Sequence, residues 1–355
     1  MINMKLQLFA SNKTIFDIVT AENVKGYYEE TIEGKIQPLG AMLFPRDKQL
    51  GLELSFIKGK GGIPVVLKPS AFDVRATLRD RVGLTELKTD MPFFKESMIV
   101  KEKDRQDLLT MLQTGNEAYI NMVTKRIFDD KRTLLDGAEA SEERLRMQLL
   151  TQGKIAVVAN NVDLEYDYGM PTENKLAAEK SWSDPSANIG KEIMKWIMDA
   201  KKKGITLTRA ITNSSTILNL MENTAIKKEI LSKSEGIGVI TPTMIGQWIK
   251  SKFGLTIMLY DEVFIDENGI TKQYVPDGIF TLIPAGTLGT TMFGTTPEEA
   301  DLMSGATDAQ VAIVNTGVAV TTTKQTDPVN VETKVSMITL PSFEQIDKVF
   351  IINVA

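Results

Sequence analysis

Leu52, Leu54 and Phe56 alternate with Glu53 and Ser55, a period of two that predicts a strand over Leu50 to Ile57. A second β-like run, Ile63 to Leu67, follows Lys58-Gly59-Lys60-Gly61-Gly62, so the pair is expected to form a projecting β-hairpin with these five residues at its tip. The period then changes. Leu108, Leu112, Gly115, Tyr119 and Met122 recur at steps of three and four, which predicts a helix over Asp104 to Leu135. Such a helix would be about 45 Å long, more than a compact domain needs, and Asp136-Gly137 ends or kinks it before Glu142 to Gln152 turns helical again.

Ile155 to Tyr168 has strand character. Asp184-Pro185 is expected to open a further helix as N-cap and first residue, closed by Lys201-Lys202-Lys203 and Gly204. Asn213 to Asn223 and Pro242 to Phe253 read as short helices, the latter with Thr241 as N-cap and Gly254 at its end. Strands are expected at Leu255 to Ile265 and Ile270 to Val275, with Asn268-Gly269 as a type I′ hairpin pair, and again at Lys334 to Leu340 and Lys348 to Val354. The first forty residues show weak periodicity and read as an extended arm with one short helix at Ile15 to Val24. Helices and strands are segregated, so the fold class is α+β.

Composition narrows the chemistry. The 355 residues are 43% apolar and 25% charged, which suits a globular core. With neither Cys nor His, disulfides, thiol nucleophiles, Ser-His-Asp triads and histidine metal sites are excluded. No apolar run approaches the roughly 18 residues of a membrane span. The net charge of −5 is too mild for a dedicated polyanion binder. Gln273 to Thr323 contains no Lys or Arg but carries Asp277, Glu298, Glu299, Asp301 and Asp308, so it is not expected to touch nucleic acid. The Lys58–Gly62 connector lacks the Lys-Ser/Thr opening a helix that a phosphate loop needs, and the acids around Asn268 lack the alternation of a calcium loop. The Lys201–Lys203 triplet has a local explanation at a helix C-terminus and makes a small footprint for nucleic acid. Neither a cofactor nor a metal is expected. A loose arm, a projecting hairpin and an over-long helix all offer surface that one copy cannot bury.

This order of parts resembles the capsid-protein fold of tailed phages, known from phage Hong Kong 97 and shared by herpesvirus shells. More narrowly, the sequence is similar to the head proteins of the phage lambda family. The residues carrying the likeness are Gly61-Gly62 through Val66-Leu67-Lys68-Pro69 with Leu78-Arg79, then Val263-Phe264-Ile265-Asp266-Glu267-Asn268-Gly269 through Lys272 to Val275-Pro276-Asp277, and Thr326-Asp327-Pro328 leading to Ser336-Met337-Ile338-Thr339-Leu340-Pro341.

The resemblance implies an N-terminal arm (1–40), an extended loop (45–72), a peripheral domain (73–190) with a spine helix at about 104–135, an axial domain (191–320) and returning C-terminal strands (321–355). Lys58 to Gly62 would reach a neighbouring subunit, Asn268-Gly269 would turn an axial hairpin, and Glu298, Glu299 and Asp301 would face capsomer centres. It implies a major capsid protein, not an enzyme. The chain would assemble with itself into hexamers and pentamers in the host cytoplasm, with a scaffolding protein, a portal and in some members a decoration protein. The virion head would enclose dsDNA through weak nonspecific contact, with no membrane involved. Cross-linking through Lys58, Lys60 or Lys68 has no identifiable acceptor Asn. Two other readings stand beside it: an encapsulin-like compartment shell, and a carboxylate-dependent metal hydrolase. Against the second, adjacent acids such as Asp129-Asp130 and Glu142-Glu143 point apart on a helix and are expected to be solvated.

Overall fold

A computed structural model describes residues 14–58, 85–100, 102–114, 117–159, 162–232, 239–305, 309–326 and 329–355. The chain opens with helices α1 (Ile15–Ile18), α2 (Ala21–Ile32) and α3 (Leu39–Leu43), then strands β1 (Arg46–Lys48), β2 (Glu53–Lys58), β3 (Thr85–Asp90) and β4 (Phe93–Ile99). Helices α4 (Glu102–Thr114) and α5 (Glu117–Gln152) lead to β5 (Lys154–Ala159), β6 (Val162–Asp167) and β7 (Lys175–Ala177). Next come α6 (Ile189–Lys202), β8 (Arg209–Thr212), α7 (Ser214–Glu222), α8 (Thr224–Leu231), α9 (Pro242–Phe253) and β9 (Thr256–Leu259). The chain finishes with β10 (Val263–Ile265), β11 (Thr271–Gln273), β12 (Ile279–Ile283), β13 (Thr291–Phe293), α10 (Pro297–Ser304), β14 (Gln310–Val314), β15 (Val318–Thr326), β16 (Val329–Pro341) and β17 (Phe350–Asn353).

Two sheets organise these parts. The first runs β1-β13-β16-β15-β14, with β4 paired to β16 as well. Val100 N–H donates to Val331 O and Thr339 N–H to Pro92 O, whereas Gly294 N–H donates to Ile338 O. Odd residues of β16 therefore face β4 and even ones face β13, which puts β4 on the opposite flank of β16. Helix α5 lies across β16, and α1, α2, α4 and α5 share a core with this sheet built on Tyr28, Leu108, Phe128, Val320 and Met337. The second sheet, β7-β17-β12-β8-β9, is covered by α6 to α9. Helix α6 buries Ile189, Ile193, Trp196, Ile197 and Ala200, a stripe at helical spacing. Trp182 seals this core, stacking on Trp196 and donating its indole N–H to Glu192 at 3.0 Å. A third core joins the two units around Leu145, Leu149, Leu150, Ile283, Leu340 and Phe343.

Several sequence expectations meet a different arrangement. The described part of the arm is helical and packed, because Ile15, Ile18, Val24, Tyr27 and Tyr28 give it an apolar face that its own chain buries. Helix continues through Gly137 to Gln152, since Ala138, Leu145, Met147, Leu149 and Leu150 supply buried apolar side chains. Met122, expected on the buried stripe, is exposed. Asp184 caps no helix: its carboxylate accepts from the Ser186 N–H and hydroxyl in a turn, and α6 begins after Asn188.

Strand β2 pairs with β3 (Glu53 opposite Asp90, Lys58 opposite Thr85), while the expected partner Ile63–Leu67 lies outside the described residues. The run Leu255 to Ile265 is split, with β9 joining the second sheet and β10 leaving it to pair with β11. The stretch expected within one unit at 191–320 is also divided, because β13, β14 and β15 join the first sheet. By contrast α9 has the expected bounds, with Thr241 accepting from Met244 N–H and Gly254 left-handed at its end. The lysine triplet does close α6, where Lys202 pairs with Asp199 and Lys203 with Glu173.

Gly137 sits exposed inside α5, with no atom within 4 Å of the Cβ position it leaves empty. Gly137→Ala is expected to raise stability by about 0.5–1 kcal/mol, read from the urea midpoint, because it restricts the unfolded chain without a native clash.

Candidate assembly surfaces and their junction

The surfaces available to neighbours depend on a cluster of buried charge on α5. Glu142, Glu143 and Arg146 are all buried. Arg146 reaches Glu142 at 2.8 Å and Glu143 at 3.3 Å, one turn back along the helix, and its Nε donates to the Thr291 hydroxyl at 2.8 Å. Thr291 in turn donates to Phe44 O at 2.9 Å. Arg46 Nε donates to Glu142 at 2.8 Å, and Gly40 N–H donates to Glu143 at 2.7 Å. A Cβ on residue 40 would lie 2.5 Å from the Glu143 carboxylate, so only glycine lets α3 approach this closely. Burial pushes the Glu143 carboxyl up, opposed by donation from Gly40, Arg146 and Tyr260. The cluster thus ties α5 to the N-terminal helices, to β13 and to the residues after β9.

Glu142 and Glu143 are not the solvated pair expected from their adjacency. Both are turned inward, where Arg146, at i+4 and i+3, pairs with one oxygen of each. That spacing, with apolar Leu145 and Leu149 beside it, was the available signal.

A two-stranded ribbon, β2–β3, packs against this junction. Leu54 and Phe56 of β2 are buried, with Phe56 against Tyr168 at 5.7 Å between ring centres. Lys58 is the last described residue of that strand, and the expected tip residues Gly59, Lys60, Gly61 and Gly62 lie outside the described residues. A second ribbon is the β10–β11 hairpin. Gly269 N–H donates to Asp266 O, Asp266 N–H donates to Ile270 O, and only Gly269 of the pair has positive φ. Asn268-Gly269 therefore ends a three-residue loop with glycine in the left-handed position, not a type I′ turn. The Asp266 carboxylate fixes it by accepting from Asn268 and Ile270 N–H, and with Lys272 these bonds hold its carboxyl down at about 2. Arg144 of α5 pairs with Glu267 and lies over Phe264, so the hairpin is anchored to the same helix. Its outer face exposes Val263 and Ile265, the latter 72% exposed.

The acidic residues fall on α10, against β14 and β15 of the first sheet. Glu298 pairs with Lys334 at 2.6 Å and accepts from the Ser336 hydroxyl at 2.9 Å; although burial opposes it, these partners hold its carboxyl below the usual range. Glu299 pairs with Lys48, and Asp301 is exposed. The structure brings Glu298 and Glu299 to the first sheet, whereas Asn268-Gly269 belong to the separate β10–β11 ribbon. Among the described residues no group of three or more acids is placed to hold a metal, and no helix is long and apolar enough to cross a membrane.

Sequence reasoning missed one further group. Lys131 of α5 is 1% exposed and donates to Met98 O beneath β4. Burial drives its amine down to about 8.

A profile of the family described as phage major capsid protein E matches residues 28–354. Among solved structures, a prophage protein of E. coli CFT073 assigned as a capsid protein is similar at 14% identity and TM-score 0.60, over 95% of this chain and 99% of that one. A phage-related protein from Bordetella bronchiseptica RB50 is similar at 12% identity and TM-score 0.57, over 95% and 98%. No curated protein matches the sequence.

Arg146→Ala is expected to cost about 3–5 kcal/mol in urea unfolding, since it removes the cation shared by two buried carboxyl groups and leaves Glu143 with neutral donors alone. Lys131 gives a pH signature. Its folded value lies below the unfolded 10.5, so the unfolded state binds more protons between about pH 8 and 10.5, and native stability rises with pH there. The stability advantage of Lys131→Met over the wild type should therefore be largest at pH 7 and shrink by up to about 3 kcal/mol above pH 10.

Proposed function

The chain belongs to the phage major capsid protein E family and is a capsid subunit of the virion, and on that premise we propose how it builds a head. Subunits assemble into hexamers and pentamers, and these close an icosahedral shell around dsDNA. The match over residues 28–354 carries this reading, supported by a fold shared with the prophage structure over nearly the whole of both chains. Helix α5 serves as the spine. The unit of α6 to α9 serves as the part that meets its copies around capsomer centres. The β2–β3 ribbon, with Lys58 to Gly62 beyond it, lies over a neighbouring subunit. The α10 acids Glu298, Glu299 and Asp301 stay with the spine unit, where Lys334 and Lys48 hold two of them.

The partners are a scaffolding protein during assembly in the host cytoplasm, a portal at one vertex and, in some shells, a decoration protein. Contact with DNA is weak and nonspecific, consistent with a net charge of −5. The chain catalyses nothing of its own. Many copies of a modest heterologous contact, closed on themselves, supply the stability.

Expression of the chain with its neighbouring genes, followed by electron microscopy, is expected to show closed shells containing nucleic acid. A chain that stays monomeric under all these conditions would exclude the capsid reading. Shells carrying a protein cargo and no genome would instead favour the compartment.

A further inference from the structure

Strand β4 is the longest strand among the described residues with an unpaired flank. Its even-numbered residues bond to β16, as the Val100–Val331 and Pro92–Thr339 bonds establish, so the backbone N–H and C=O groups of Phe93, Lys95, Ser97 and Ile99 point away from the sheet. Phe94 and Met98 pack inward against the spine core. Phe93 and Ile99 are left 41% and 49% exposed, and Lys95 and Ser97 between them are exposed too. The ammonium of Lys95 lies 5.4 Å from the Phe93 ring centre, on the same face. The other end of this sheet differs, since β14 is flanked by α2 and α10. A long open edge bearing apolar residues is a template for another strand.

We propose that β4 pairs antiparallel with β4 of a second copy across a two-fold axis, joining two spine sheets into one. The inference rests on the capsid reading, which supplies copies of this chain as the partner. The edge is complementary to itself. Centred on Glu96, the pairing sets Phe93 opposite Ile99 of the copy and Lys95 opposite Ser97, so the two exposed apolar residues cover each other and no like charges stand directly opposite on that face. All four outward-facing residues then exchange backbone hydrogen bonds with the copy. Two repulsive features remain, Glu96 opposite its own counterpart on the helical face and the two Lys95 ammonium groups on the diagonal, and they keep the contact weak enough to correct during assembly.

The edge geometry makes a selective test possible. Proline at 95 or 97 removes an outward N–H and no bond to β16. Lys95→Pro and Ser97→Pro are expected to keep the wild-type circular dichroism and melting behaviour yet assemble at least ten times more slowly by light scattering, whereas Ser97→Val assembles normally. Because the chain has no cysteine, Lys95→Cys and Ser97→Cys chains can also be assembled together and oxidised. A disulfide-linked dimer is expected from the mixture in clear excess over either variant alone. Proline variants that assemble at the wild-type rate, or mixed shells without that cross-link, would overturn the pairing. Failure of the unaltered chain to form any shell would instead remove the capsid reading itself.

Discussion

Two carboxyl groups buried side by side on a helix are tolerated only when donors surround them, and in this chain the donors come from separate parts of the fold. Arg146 lies one turn further along α5, Arg46 opens β1, and Gly40 belongs to α3. Thr291 then links Arg146 to Phe44, so β13 is held in the same arrangement. Removing any of these partners leaves a charge in the interior, which costs far more than a surface ion pair contributes. The cluster therefore acts less as a source of net stability than as a condition on geometry: the N-terminal helices, the spine and the first sheet can meet in this way or meet badly.

The same helix carries that condition outward. Arg144, two residues before Arg146, faces the β10–β11 hairpin, where it pairs with Glu267 and covers Phe264. Leu149 and Leu150 enter the core shared by both sheets, and the Leu150 carbonyl accepts from Thr281 on β12 at 2.8 Å. Over about two turns, α5 thus fixes the hairpin, the second sheet and the N-terminal segment relative to one another. A subunit of a closed shell needs this, since small errors in the angle between its contact surfaces accumulate from copy to copy.

Local chemistry was readable before the fold was known. The Thr241 cap, the left-handed Gly254 and the lysines at the end of α6 depend on neighbours within a few residues, and each stands where the sequence placed it. The likeness in residue order to phage head proteins was readable for a different reason, since it spans most of the chain. What sequence could not supply was long-range pairing. The period-two run of β2 predicts a strand without naming β3 as its partner, and the weak pattern of the first forty residues gave one short helix at 15–24 but neither the length of α2 nor its packing against α5 and β14. Glu142 and Glu143 misled for the opposite reason. A pair of acids on a helix usually faces water, and only Arg146 together with the donors from residues 40 and 46 reverses that.

The division between inside and outside then follows one logic. Charges that would ordinarily lie on the surface are drawn inward to lock the junction, while apolar residues that would ordinarily be buried, such as Ile265 on the hairpin and Phe93 and Ile99 on β4, are left out. In a monomer both choices are costly. In a shell they are consistent: the buried charges set the angles at which surfaces are presented, and the exposed apolar residues are open to a neighbour. Small patches favour contacts that are individually weak and reversible and that persist through closure. A rigid interior with modest, incomplete surfaces is what allows misplaced subunits to leave while correct ones accumulate.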